Sequence, residues 1–100
     1  MVNQDVAVAV AFLATELIEL AMNIEPRAQI RIAIHPAQAS GRATLRVVSR
    51  ALIETDELRA LAHNRYARVM EGLARQLRAP LHHDPLTGAY EIGFPILGQA

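Results

Sequence analysis

The sequence predicts an α/β (α+β) two-layer sandwich, a mixed four-stranded sheet with three helices on one face. Apolar residues recur every three or four positions in an N-terminal stretch and again in residues 64–77, the period of amphipathic helices. They alternate with polar residues at 29–35 and 44–48, the period of half-buried strands. The predicted order is helix, two strands, short helix, helix, two strands, which separates the helices and the sheet into two layers.

Length and composition restrict the possible functions. The 100 residues predict one domain, 1–100, with a single core. The chain has no cysteine, which excludes disulfides and thiolate metal sites, and its ten basic residues are all arginine, which excludes a lysine Schiff base. The zero formal net charge argues against a general nucleic-acid or anionic-membrane binder. With neither a membrane span of about 20 apolar residues nor a signal peptide recognised, the predicted location is the cytoplasm.

The first predicted helix runs from about residue 5 to 24. Alternating valines at 6, 8 and 10 alone would suggest a strand, but helical spacing continues for about five turns, and strands seldom run that long. Asp5 is the expected N-cap, and Pro26 ends the helix. The residues at helical spacing are Val6, Val10, Leu13, Leu17, Leu20 and Ile24.

Two strands follow, and they form a predicted hairpin. In Gln29–His35 three isoleucines alternate with Gln, Arg and Ala, and in Thr44–Val48 two apolar residues alternate with Arg46. The segment Pro36–Arg42 contains Ser-Gly and supplies the turn.

The second half begins with a short predicted helix, Thr55–Ala62, capped by Thr55. Asn64 is expected to cap the next helix, which Pro80 ends. Its apolar stripe consists of Tyr66, Val69, Met70, Leu73, Ala74 and Leu77. The predicted chain then runs as a strand at 81–83, a turn at 84–88 and a strand at 89–96. The expected core comprises Leu17, Leu20, Ile32, Val47, Val69, Leu73, Leu77 and Phe94.

Two stretches resemble a known family. Residues Thr15 to Ala21, Thr-Glu-Leu-Ile-Glu-Leu-Ala, are similar to the Thr-Glu-Leu-Val-x-Asn-Ala helix of sensor histidine kinase ATP-binding domains, in the GHKL superfamily. The helix Met70–Leu77, followed by Gly88, Tyr90 and Phe94-Pro95, is similar to the end of that domain. The resemblance covers nearly all of the chain. It implies a reduced Bergerat fold, similar to the C-terminal domain of histidine phosphotransferases.

The positions that hold ATP in that family differ here. The magnesium-binding Asn is replaced by Leu20, whose side chain cannot ligate a hard cation. The Asp-x-Gly-x-Gly segment that follows a strand is replaced by Ser49, Arg50 and Ala51. The lid segment, 53–66, has no glycine to let its amides surround phosphates. Glu16 occupies the position at which some relatives place a general base. The resemblance therefore implies no cofactor, no metal and no catalytic residue, and a chain that is not an enzyme on its own.

The histidines and one basic helix face are further candidate sites. His82, His83 and Asp84 suggest a metal site, but neighbours on a strand point to opposite faces, so the two imidazoles are not expected to share an ion. His35 and His63 lie at predicted element ends and are expected to be structural. A basic helix face lies opposite the apolar stripe; it is either a solvated face or a docking surface for an acidic partner. It consists of Arg65, Arg68, Arg75 and Arg78.

The resemblance thus predicts a non-catalytic histidine-kinase-like domain in bacterial two-component signal transduction, serving protein–protein interaction. The expected partner is a response-regulator receiver domain or a helical-hairpin phosphotransfer domain of a phosphorelay. Assembly into a homo-oligomer is a further possibility. Two alternatives remain at this point. One is a divergent ATP-binding domain of a histidine kinase, and the other is a structural dimerisation module.

Overall fold

The computed structural model describes residues 4–37 and 41–95. The predicted turn residues 38–40 and the predicted strand end at Ile96 lie outside these ranges. The described elements are α1 (Gln4–Ile24), β1 (Arg31–Ala37), β2 (Arg42–Val48), a 3-10 turn (Arg50–Leu52), α2 (Asp56–Leu61), a π turn (Ala62–Tyr66), α3 (Ala67–Leu77), β3 (His82–Asp84) and β4 (Ala89–Pro95).

The sheet has four strands in the order β1-β2-β4-β3, and every neighbouring pair is antiparallel. The predicted mixed sheet is therefore wrong. Strands β2 and β3 run in the same direction and would form a parallel pair if they were neighbours. Strand β4 lies between them instead. Its side chains Tyr90, Ile92 and Phe94 are buried, whereas β3 is three residues long and exposes His82 and Asp84, so burial favours β4 at the centre.

The number of separate helices also differs from the prediction. Helix α2, the π turn and α3 form one continuous helical segment, 56–77, so this segment and α1 are two helical bodies rather than three. Thr55 caps α2 as predicted, with Oγ1 accepting a hydrogen bond from the Leu58 N–H at 3.0 Å. Asn64 lies inside the π turn and caps no helix. No glycine or proline occurs at 56–71 to break the helix there.

The helices cover one face of the sheet. Helix α1 packs against α3 and contacts β2 and β4, and the core lies between these elements. Of the expected core residues, Leu73 is half-buried and Leu17, Leu20, Val47, Leu77 and Phe94 are buried.

Two residues of the expected core are exposed instead. Ile32 is 49% exposed although it pairs with buried Val47, because β1 is an outer strand that lies beside the helical layer rather than under it. Val69 is 44% exposed because it lies at the rim of the α3 stripe, whose buried line runs through Tyr66, Met70 and Leu77.

Candidate functional site

Leu20 lies in the core. It is 0% exposed and belongs to the same buried cluster as Leu17, Leu52 and Leu58. Leu52 and Leu58 come from the 3-10 turn and α2, both of which contact α1. The space beside Leu20, where the resemblance would place the nucleotide's magnesium, is therefore occupied by apolar side chains.

Tyr66 connects the helical segment 56–77 to α1 by hydrogen bonds. Its hydroxyl accepts a hydrogen bond from Asn23 Nδ2 at 2.6 Å and donates to Glu19 Oε1 at 3.2 Å. The Arg65 guanidinium lies 3.8 Å from the same Glu19 oxygen and 5.6 Å from the centre of the Tyr66 ring. Burial, the Glu19 hydrogen bond and the nearby carboxylates, including half-buried Glu16, raise the pKa of Tyr66. This network joins the two helical bodies at the surface.

The segment that replaces the family's Asp-x-Gly-x-Gly is held against the β3–β4 turn. Ser49 is 3% exposed, its N–H donates to the Gly88 carbonyl at 3.0 Å, and its Oγ accepts from the Ala51 N–H at 3.2 Å. Glu54 N–H donates to the Pro85 carbonyl at 2.9 Å. Residues 49–54 gave no clear pattern in the sequence. Ser49 as an N-cap is the feature that could have identified the turn.

The four arginines of the predicted basic face are all exposed, but they do not form one row. Arg68 and Arg75 lie two turns apart on α3, opposite its buried line, about 10 Å along the axis. Arg65 belongs to the π turn and is engaged with Glu19, and Arg78 lies beyond the helix with φ +56°. Arg68, Arg75 and Arg78 form no ion pair with a described residue, and of these three Arg68 and Arg75 lie on α3.

The histidines are separated as strand geometry requires. His83 lies on the helix-covered face, stacked on Tyr90 with ring centres 4.2 Å apart, and its Nε2 contacts the Leu52 carbonyl at 2.8 Å. His82 is exposed on the opposite face, paired with Glu91 across the strands. Within the described ranges, no group of three or more potential ligands among His, Cys, Asp and Glu side chains could hold a metal ion.

A cleft of about 970 Å³ lies where the α1–β1 connection meets the end of β2. Four of its lining residues are arginines and one is a glutamate. Sequence reasoning did not identify this cleft. The alternation of polar and apolar residues places Arg31 and Arg46 on the polar sides of their strands, but the strand register is needed to bring the two residues together. The lining consists of Glu25, Arg27, Gln29, Ile30, Arg31, Arg46, Val48, Ser49 and Arg50.

Only one of these four arginines has an acidic partner in the part of the chain that the structure describes. Arg46 Nε lies 3.0 Å from Glu91 Oε2, an ionic contact rather than an aligned hydrogen bond. Arg27, Arg31 and Arg50 form no ion pair with a described residue and are exposed. The cleft is therefore positively charged, in a chain whose formal net charge is zero.

Helix α1 is, in the described ranges, the one helix with the length and apolar character of a membrane-crossing helix. The core helix of a soluble protein and an N-terminal signal sequence can have the same properties. In this structure 33% of the most apolar 18-residue stretch of α1 is buried. The cytoplasmic location stays a prediction.

Comparisons of the chain with profiles of protein families, with curated proteins and with solved structures find no match.

Proposed function

We propose that this chain is a non-catalytic histidine-kinase-like domain, a reduced Bergerat fold, that acts in cytoplasmic two-component signal transduction by contacting another protein. The resemblance of residues 15–21 and 70–95 motivates the family. The observation that carries the loss of catalysis is the burial of Leu20 at 0% exposure among apolar neighbours, where a nucleotide site would need an oxygen ligand and open space.

The partner surface in this proposal is the outer face of α3. Arg68 and Arg75 point away from the core with no acidic partner among the described residues, and Gly72 between them leaves open space, since a Cβ there would meet no atom within 4 Å. Guanidinium groups pair with carboxylates in bidentate geometry. A receiver domain, whose surface offers carboxylates, therefore fits this face better than a basic or apolar partner.

Charge reversal tests this surface. The variant Arg68→Glu/Arg75→Glu should keep the wild-type melting temperature, since exposed substitutions change stability by about 0.5 kcal/mol or less. It should weaken calorimetric binding of a receiver domain from the same organism by about tenfold or more, since two attractive contacts become repulsive.

The matched control is Arg27→Glu/Arg50→Glu, which reverses two arginines of the cleft and leaves α3 unchanged. It should bind the receiver domain as tightly as the wild type. Equal binding by the wild type and the α3 variant would show that this face is not the docking surface.

A further inference from the structure

We infer that the arginine cleft is a binding site for a small multivalent oxyanion, a ligand with two or more phosphate or carboxylate groups. The site is separate from the α3 surface. It is formed by three segments that lie apart in the sequence: the connection 25–30, the paired strands β1 and β2, and residues Ser49 and Arg50 after β2.

The strand register brings the cleft arginines together on the sheet face away from the helices. Arg31 pairs with Val48, and Ala33 pairs with Arg46. Arg31 and Arg46 are therefore diagonal neighbours on one face, a spacing that long side chains can bridge. Arg27, in the connection before β1, and Arg50, just after β2, also line the cleft, so four arginines from three segments line one concave space.

The charge of the lining favours an anion with several charges. With Arg46 paired to Glu91, three guanidinium groups remain, and Glu25 is the only acidic residue in the lining. Each guanidinium presents a planar fork of donors that matches two oxygens of a phosphate or carboxylate group. A ligand with several such groups would neutralise more than one arginine at a time.

Ser49 adds a neutral polar residue. It lines the cleft and is almost fully buried, and its Oγ accepts from the Ala51 N–H. A serine hydroxyl carries one proton to donate besides the bonds it accepts. The volume of about 970 Å³ is at the upper end of the range for small-molecule sites, so the cleft has room for an extended anion. Its excess of arginines disfavours a cation.

Titration calorimetry with sodium tripolyphosphate and with citrate tests this site at low and at physiological ionic strength. We expect at least one of them to bind, and to bind more weakly as salt increases, since the contacts are charged. Arg31→Gln/Arg50→Gln should weaken binding about tenfold or more. Arg68→Gln/Arg75→Gln removes the same charge from the outer surface of α3 and should change the affinity for the anion less than about twofold. The anion that binds more tightly identifies the preferred group.

The ligand should also perturb backbone amide NMR signals of residues 25–31 and 46–50 rather than those of α3. Melting temperatures equal to that of the wild type verify that both variants fold. No binding of either anion would overturn the proposal. So would equal weakening by the two variants, which would indicate attraction to net charge alone.

Discussion

Gly88 lets the turn between β3 and β4 approach the end of β2 more closely than any other residue would. Its φ is +72°, and a Cβ at this position would lie 2.1 Å from the Ser49 carbonyl oxygen and 3.0 Å from the Ile53 nitrogen. Both neighbours are backbone atoms, so they cannot move aside as a side chain could. The hydrogen bond from Ser49 N–H to the Gly88 carbonyl depends on this approach.

The residue-scale prediction is that Gly88→Ala destabilises the protein. The left-handed backbone alone costs an alanine about 1–3 kcal/mol, and the contact with Ser49 must open in addition. Chemical denaturation would measure this as a lower free energy of unfolding. The control is Gly72→Ala on α3, where a Cβ meets nothing within 4 Å. That change should stabilise by about 0.5–1 kcal/mol, because alanine favours a helix. The same sign at both positions would contradict the prediction.

At the scale of elements, the π turn aims Tyr66 at α1. Asn23 and Glu19 lie on successive turns of α1 and both bond the Tyr66 hydroxyl. The raised pKa of Tyr66 means that the folded state holds the phenol proton more tightly than the unfolded state does. Its contribution to stability is therefore complete below the unfolded pKa of about 10 and is lost as pH rises through the folded value.

Tyr66→Phe tests this element. At neutral pH it should lower the free energy of unfolding by about 0.5–1.5 kcal/mol, the usual worth of a hydrogen bond. Above about pH 10 the variant should lose less stability than the wild type. Burial also raises the pKa of Tyr90, so Tyr90→Phe should flatten the alkaline loss too. However, the Tyr90 hydroxyl forms no hydrogen bond with a described residue. At neutral pH, Tyr90→Phe should therefore not lose the free energy of a hydrogen bond that Tyr66→Phe loses. If Tyr66→Phe lost as much stability as the wild type at alkaline pH, the alkaline loss could not be attributed to Tyr66.

Several elements could be predicted from the sequence because residues within or next to each element determine it. Helix α1 ends at Ile24, two residues before Pro26, and β1, β2 and β4 follow the period-two stretches within two residues. The π turn could not be predicted, because Asn64 is a good capping residue and the contacts of Tyr66 with α1 depend on the tertiary fold. The position of β4 beside β2 depended on which strand buries more apolar surface, which spacing along the chain does not encode.

At the scale of the whole molecule, one candidate site could be predicted from local pattern and the other depends on how the strands pair. Arg68 and Arg75 could be placed on an exposed face from helical period alone. The cleft could not be found this way, because Arg27, Arg31, Arg46 and Arg50 converge only after β1 pairs with β2 in one register. Ile32 illustrates the same limit, since its alternation indicated burial and only the position of α1 over β2 and β4 leaves it exposed.

The whole-molecule prediction is that the protein has no magnesium-dependent ATP site. Such a site needs an oxygen ligand where Leu20 is buried, an acceptor for the adenine amine near Ser49, and amides free to surround the phosphates where residues 53–66 are largely helical. Any ATP that binds should do so through the arginine cleft. Tripolyphosphate should then bind comparably. Magnesium, which neutralises phosphate charge, should weaken the binding of ATP, and Arg31→Gln/Arg50→Gln should weaken it about tenfold or more. Calorimetry with ATP and magnesium on that variant separates the two sites. A dissociation constant below about 100 μM there, roughly 5.5 kcal/mol of binding free energy, would contradict the prediction and favour a divergent ATP-binding domain.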